Sequence, residues 1–244
     1  MTDQVATAAP AAASGSDSGN VFSRLFGVLT SPRETFAGIV ARPRWLAAMA
    51  IVALFIAFAQ YAFLSTQVGQ DAMVDQQMRQ TERWTGNLTQ EQIDGIERRA
   101  PMGKYFALGA TLIFVPVISF IVAGILFGVF NALLGGDASY KQVLAINAHA
   151  GAVSLVQTLF VVPLNYFRES LSSATNLGVF VQFLDDTNYV ARVLGWFDLF
   201  IIWNLIVTAI GLSVLYKRKT APIFWSFMAI YAVIALVGAA LMKG

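Results

Sequence analysis

The chain has 244 residues, of which 57% are hydrophobic and 12% are charged, with 16 basic and 14 acidic side chains. Soluble domains are about half apolar and about a quarter charged, so this chain has too little polar surface for a water-soluble globule. The small excess of positive charge does not indicate nucleic-acid binding. The absence of cysteine excludes disulfides and thiolate chemistry, and a lone histidine argues against a histidine metal site. No cofactor is expected.

Before the first long apolar run, residues 1–20 are small and polar, which predicts a disordered tail. Residues 21–44 form a juxtamembrane segment with apolar residues at helical spacing. Within it, Ser31 can cap a helix, Pro32 suits the first helical position, and Glu34 can complete a capping box. This pattern predicts two short amphipathic helices on the membrane surface, or alternatively helices packed on the cytoplasmic end of a bundle. The basic residues expected to face lipid headgroups are Arg24, Arg33, Arg42 and Arg44.

Five stretches are long and apolar enough to cross a bilayer, which takes about 20 apolar residues at about 1.5 Å each. They cover residues 45–64, 105–134, 143–166, 196–216 and 222–242. The sequence therefore predicts an all-α membrane protein whose five-transmembrane-helix bundle occupies residues 45–242. Its outer loops are expected near residues 65–104 and 167–195.

The first outer loop is the longest polar stretch and carries charges of both signs. A second capping-box pattern, from Thr89 to Gln92, predicts a short helix that ends at about Arg99. Paired catalytic carboxylates are one interpretation of this stretch. A solvated hairpin carrying mixed charges is favoured, because nothing fixes the distance between any two carboxylates.

The second apolar run contains small residues at helical spacing, Gly124, Gly128 and Ala132. Small residues let helix backbones approach closely in lipid, where no hydrophobic force draws helices together. We therefore predict that this ridge is an internal packing seam. The turn that follows has glycines suited to a left-handed helix end, and Asp137 or Ser139 can cap the next helix.

Polar side chains inside the apolar runs are candidates for a polar interior: Asn131, Asn147, His149, Gln157, Asp198 and Asn204. His149 suggests a proton relay, but a neutral histidine hydrogen-bonded within the bundle explains it equally well and is favoured. Asp198 falls in the first turn of its helix, where the dipole and free N–H groups favour an anion. Asp198 is therefore predicted to be a structural cap rather than a catalytic group.

Basic residues are densest in the short flanks before the first run and in the turn Lys217-Arg218-Lys219. Because such flanks stay in the cytoplasm, we predict a cytoplasmic N-terminus and an outer C-terminus.

Three segments carry a resemblance to a known family. They are SPRETF (residues 31–36) followed by RPRW (residues 42–45), GGDASYKQVL (residues 135–144), and FDLFIIW (residues 197–203) with AIGL (residues 209–212) after it. Over about residues 21–240 the chain resembles the bacterial branch of the YIP family, named for interaction with Ypt/Rab GTPases. The resemblance implies five spans, a cytosolic N-terminus and no agreed catalytic residues. Many relatives have a proline about ten residues into the third span, where this chain has Gly151-Ala152-Val153-Ser154, so the helix geometry there is expected to differ.

These observations favour a non-enzymatic adaptor or organiser in a bacterial inner membrane. Eukaryotic relatives are linked to vesicle traffic and GTPase binding, which we do not expect here because the cytosolic region is short and the chain looks bacterial. The expected partners are the lipid bilayer and either a membrane protein or a second copy. The alternative is a small transporter or channel subunit, which requires the polar side chains to meet at a hydrated cavity rather than to be paired separately.

Overall fold

The computed structural model describes residues 20–181, 183–184 and 188–241, apart from the side chains of Arg83 and Trp84. The predicted disordered tail lies outside these residues, except for Asn20. The described helices are α1 (Val21–Thr30), α2 (Pro32–Ala41), α3 (Leu46–Leu64), α4 (Gln67–Thr85), α5 (Gln90–Phe127), α6 (Tyr140–Ala150), α7 (Ala152–Arg168), α8 (Tyr189–Trp196), α9 (Leu199–Leu215) and α10 (Thr220–Leu241). A π-helical turn, Gly128–Leu133, extends α5, and Leu177–Val181 is a 3₁₀ segment.

The fold is helical, and among the described residues four helical stretches are long and apolar enough to cross a membrane. They are Leu46–Leu64, Gln90–Leu133, Tyr140–Arg168 and Thr220–Leu241. The remaining predicted span corresponds to α9, which is apolar but has only 17 residues. A spanning helix has about 17–25 residues, so α9 is at the short end of that range. By helix length the described residues therefore contain four candidate spans, and the predicted count of five is not confirmed.

The main hydrophobic core is built around α6, whose residues are buried on almost every side. Phe36 from α2, Ile146 from α6 and Leu212 from α9 are all fully buried in this core. Gly211 allows α9 to come close to α6 and α2. A methyl group at this position would overlap the Ile146 side chain and crowd the Phe36 ring. The core therefore lies at the meeting of α2, α6 and α9.

The N-terminal helices α1 and α2 form a hairpin that contributes to this core. Asn20 caps α1 by accepting a hydrogen bond from the Ser23 backbone N–H at 2.9 Å. α2 begins at Pro32 as predicted, but the Ser31 side chain makes no capping hydrogen bond, so the predicted capping box is wrong. The Ser31 backbone has a φ of −139° and a ψ of 62°. Its carbonyl accepts a hydrogen bond from the Thr35 hydroxyl. The hairpin packs on the bundle, which was the second of the two predicted arrangements.

Three segments lie together at one end of the bundle. They are the α1–α2 hairpin, the α5–α6 turn and the α9–α10 turn. Arg33 reaches Thr220 at 3.1 Å, and Arg218 reaches the Leu134 carbonyl at 2.9 Å. At the other end of α10, Tyr189 of α8 donates a hydrogen bond to the Leu236 carbonyl at 3.1 Å. α9 therefore runs from α8, at one end of the bundle, to the α9–α10 turn at the opposite end.

The charged stretch after α3 is a helical hairpin made of α4 and the first part of α5. The capping box at Thr89 is confirmed, because both of its reciprocal hydrogen bonds with Gln92 form. The predicted end near Arg99 is wrong, since α5 runs on to Phe127 through two internal prolines and has 38 residues in all, about 57 Å. A second small core of Phe63, Leu64, Ala72, Met73 and Ala100 holds this hairpin to α3, so tertiary packing outweighs the local proline signal.

Candidate functional site

The third candidate span is broken at Gly151. α6 ends at Ala150, and α7 starts again after Gly151. A break leaves backbone carbonyls without their helical partners, which is costly in lipid unless another group satisfies them. Asn204 of α9 does so by donating its amide N–H to the Ala150 carbonyl at 3.1 Å. Asn204 is therefore a cap supplied by a neighbouring helix.

His149 lies on the last turn of α6 and is completely buried. Its Nδ1 is 2.8 Å from the Ala145 carbonyl, and because a carbonyl can only accept, Nδ1 carries the proton. The remaining nitrogen, Nε2, has no hydrogen-bond partner among the described residues. Arg24 of α1 is its charged neighbour. The ring is thus held from one side only.

Asn147 and Asn131 bond to separate parts of the protein. The Asn147 amide donates to the Ser119 carbonyl of α5 at 3.3 Å. Asn131, in the π-helical turn, donates to the Ala138 carbonyl at 2.6 Å and accepts from the Tyr216 hydroxyl at 2.8 Å. Asn131 therefore ties the α5–α6 turn to the end of α9, at the end of the bundle that holds the α1–α2 hairpin.

Asp198 is the cap of α9, as its sequence position predicts. One carboxylate oxygen accepts from the Phe200 backbone N–H at 2.8 Å and from that of Ile201 at 3.4 Å. The other accepts from the hydroxyls of Thr175 and Ser173. The side chain is nearly buried and both of its oxygens are engaged, so the cap accounts for it fully.

Gln157 differs from the other predicted interior residues. It lies half-buried on α7, and its side chain makes no hydrogen bond to any described residue. The sequence alone could not separate it from Asn204, because both are single amides in apolar runs. The difference between them is that Asn204 lies beside the Ala150 carbonyl, which the helix break leaves without a helical partner.

The predicted packing seam is not inside the chain. A methyl group built at Gly124 or Gly128 would meet no atom within 4 Å outside its own helix backbone, and Ala132 is exposed. The buried positions near this ridge are Ala123 and Phe130. The seam prediction is wrong for contacts within one chain, because small residues permit a close approach but do not specify where a partner lies.

The four arginines expected at the membrane surface separate into two groups. Arg33, Arg42 and Arg44 are exposed, whereas Arg24 is 9% exposed and donates to the Arg42 carbonyl at 3.4 Å. Burial, together with the neighbouring charges of Arg44 and Arg42, lowers the pKa of Arg24. The expectation of a headgroup-facing side chain is wrong for Arg24, because the hairpin turns that side of α1 toward the bundle.

The predicted interior residues thus have different partners in different places. Asn131 and Asp198 lie at opposite ends of α9, while Asn147 contacts α5 and Asn204 contacts α6. The partners that the sequence did not reveal are mostly backbone carbonyls, together with the hydroxyls of Tyr216, Thr175 and Ser173. Within residues 20–181, 183–184 and 188–241, no three acidic or histidine side chains are grouped as a metal ion requires.

A family model described as the Yip1 domain matches residues 26–242, which is most of the chain. The chain belongs to the Yip1 family. The resemblance predicted from the sequence is thereby confirmed. "Membrane protein YknW" of Bacillus subtilis (strain 168) is 26% identical over 191 residues, which cover 77% of this chain and 76% of that protein. No solved structure matches the chain. The chain is therefore a Yip1-family integral membrane protein.

Proposed function

We propose that this Yip1-family protein is a non-enzymatic adaptor or organiser in a bacterial inner membrane, acting through helix–helix and surface contacts. The observation that carries the proposal is the separate pairing of four of its six candidate interior polar residues. Asn131, Asn147 and Asn204 each donate to a nearby backbone carbonyl, and Asp198 has both oxygens engaged at a helix start. Groups occupied in this way hold helices together and leave the outer faces for recognition.

The outer face of α5 is the surface proposed to meet a partner. Gly124 and Gly128 lie there with open space beside them, so the backbone of another helix can come close. Replacing glycine there removes that access without disturbing the chain itself. This property makes the face testable by substitution.

A photocrosslinking amino acid at position 128 tests the adaptor role in cells. We expect a defined adduct with one membrane protein or with a second copy, and we expect Gly124→Ile in the same chain to abolish it. The control position is Ile230 of α10, which is 60% exposed and lies outside this face. Adducts with lipid alone at position 128 would contradict the proposal.

The proposed topology has five spans, a cytoplasmic N-terminus and an outer C-terminus. It is supported by α9, which links segments at opposite ends of the bundle although it has only 17 residues. It is also supported by the cluster of basic turns beside the α1–α2 hairpin. Because the chain has no cysteine, single cysteines can report which side each turn faces. A membrane-impermeant maleimide added to intact cells should label Asn87→Cys but not Asp137→Cys, and the reverse pattern would contradict this orientation.

A small transporter or channel subunit is the second candidate, and one observation favours it. The break between α6 and α7 lies directly after His149, whose Nε2 is unpaired among the described residues. Broken helices at mid-membrane are a feature of transporter sites. In proteoliposomes with a pH gradient, the adaptor proposal predicts equally slow proton leak from the parent protein and from His149→Gln. Fast leak that the substitution removes would establish the transporter instead.

A further inference from the structure

An open pocket of about 690 Å³ lies where the start of α2, the end of α9 and the start of α10 meet. Four basic residues line it, with two hydroxyl groups: Arg33, Lys217, Arg218, Lys219, Ser213 and Thr220. Three of the basic residues are consecutive in the α9–α10 turn, and Arg33 comes from the N-terminal hairpin. The pocket is therefore assembled from parts of the chain that are far apart in sequence.

The charges in this pocket are not neutralised by the protein. Among the described residues, none of the four forms an ion pair with a carboxylate. Arg33 uses one N–H on the Thr220 hydroxyl, and Arg218 uses one on the Leu134 carbonyl, so each guanidinium keeps further donors. The ammonium groups of Lys217 and Lys219 make no hydrogen bond to a described residue. Four uncompensated cations around one cavity are suited to a multiply hydrogen-bonding anion.

A chain of hydrogen bonds holds Arg33 in place at the pocket. Thr220 accepts from Arg33 and donates to Ser213 at 2.9 Å, and Ser213, which is 2% exposed, donates to the Ile210 carbonyl at 2.8 Å. α10 begins at Thr220, so the positive end of its dipole adds to the field of the cations. These hydrogen bonds thus connect the start of α2 to the end of α9 and the start of α10 on either side of the basic turn.

The surroundings of the pocket indicate where its anion comes from. α10 continues from the pocket as an apolar helix with large exposed side chains, among them Trp225 at 66% and Ile230 at 60%. Tryptophan is enriched at the level of lipid headgroups, and Trp225 lies about one turn beyond the pocket. A ligand with a phosphate in the pocket can therefore lay acyl chains along α10.

We propose that this pocket binds the phosphate of an anionic phospholipid headgroup, with Arg33, Lys217 and Lys219 as its principal ligands. Binding would join the N-terminal hairpin to the α9–α10 turn through one lipid, because Arg33 is the hairpin's contribution. The inference does not depend on the adaptor role, since lipid binding can be measured on the purified chain alone.

The test is a lipid titration of the full chain in detergent micelles, followed by native mass spectrometry. Phosphatidylglycerol and phosphatidylcholine are the two probes, because both contain phosphate but only the first carries net negative charge. We expect the parent protein to retain phosphatidylglycerol preferentially. Each basic residue near an anionic headgroup contributes about fivefold in affinity. The triple variant Arg33→Gln, Lys217→Gly and Lys219→Gln should therefore lose on the order of a hundredfold in phosphatidylglycerol affinity.

Two variants keep the test independent of folding. Lys217 has a φ of 51°, a left-handed conformation that glycine adopts most readily, so Lys217→Gly alone removes a charge without straining the turn and should lose about fivefold. The matched control is Arg42→Gln, Arg44→Gln and Lys141→Gln, which removes three exposed charges that do not line the pocket. The control should lose far less phosphatidylglycerol affinity than the triple variant, because its charges do not converge on one cavity.

Three results would overturn the proposal. One is unchanged phosphatidylglycerol binding by the triple variant, and another is an equal loss in the control variant. The third is displacement of the lipid by millimolar inorganic phosphate, which would identify the ligand as free phosphate rather than a lipid headgroup.

Discussion

The helices α5 and α6 are both in apolar runs, but their surroundings are opposite. The span containing α5 is the most apolar of the four candidates, and only 6% of its apolar stretch is buried, whereas the span formed by α6 and α7 is the least apolar and 44% is buried. In water the most apolar helix would be the most buried. In lipid that relation reverses, because hydrocarbon accepts apolar side chains as readily as the protein interior does. Within this chain the most apolar span is the most exposed, and the least apolar span contributes most to the core.

The largest expected difference in unfolding free energy is between an aromatic residue in the core and one on the exposed surface of α5. Phe36→Ala removes a fully buried ring from the α2, α6 and α9 core and should lower the free energy of unfolding by about 3–5 kcal/mol. Phe114→Ala on α5 removes a ring that is 58% exposed and should change it by less than about 0.5 kcal/mol. Unfolding by dodecyl sulfate in mixed micelles, followed by circular dichroism, measures both. Equal losses would remove the distinction between the two regions.

A second pair of variants adds volume instead of removing it. Gly211→Ile places a side chain against Ile146 and Phe36, and overpacking of this kind costs about 1–3 kcal/mol or more. Gly124→Ile on α5 enters open space and should leave the unfolding midpoint unchanged. The same mixed-micelle unfolding compares them. A Gly124 variant as unstable as the Gly211 variant would mean that α5 is packed within the chain after all.

The smallest expected difference in unfolding free energy is between substitutions of two side-chain amides, those of Asn204 and Gln157. Asn204→Leu leaves the Ala150 carbonyl unpaired at the break after α6, and hydrogen bonds between membrane helices contribute about 1–2 kcal/mol in model peptides. Gln157→Leu removes a side chain without a hydrogen-bond partner among the described residues, so its unfolding free energy should stay within about 0.5 kcal/mol of the parent. If Gln157→Leu is the more damaging of the two, the assignment of Asn204 as the cap is wrong.

The features that could be predicted from the sequence are those decided within a few residues. The apolar runs at 45–64 and 222–242 give helices close to the predicted bounds, and the predicted capping box at Thr89 forms. Of the two predicted caps for α6, Ser139 is the one that the helix uses. Gly135 adopts the left-handed conformation expected at a helix end. Asp198 caps α9 because its helix start and its carboxylate are adjacent in the chain.

The features that could not be predicted depend on contacts between distant segments. The ridge from Gly124 to Ala132 has the residues that close packing requires, but a helix sequence does not state whether its neighbour is lipid or protein. Similarly, Arg24 follows the same pattern as Arg33, and only the packing of the hairpin makes one buried and the other exposed. The pairing of Asn147 and Asn204 with backbone carbonyls leaves no trace in the sequence, because any residue can supply a carbonyl.

The contrast between α5 and α6 can be measured most directly on two native isoleucines. Ile125 of α5 is 60% exposed, and Ile146 of α6 is fully buried beside Gly211. In purified monomeric protein with ¹³C-labelled isoleucine methyl groups, nuclear Overhauser effects to lipid acyl chains should appear for Ile125 and be absent for Ile146, which should instead show effects to Gly211. Acyl-chain contacts at Ile146, or their absence at Ile125, would contradict the account in which α5 is exposed and α6 forms the core.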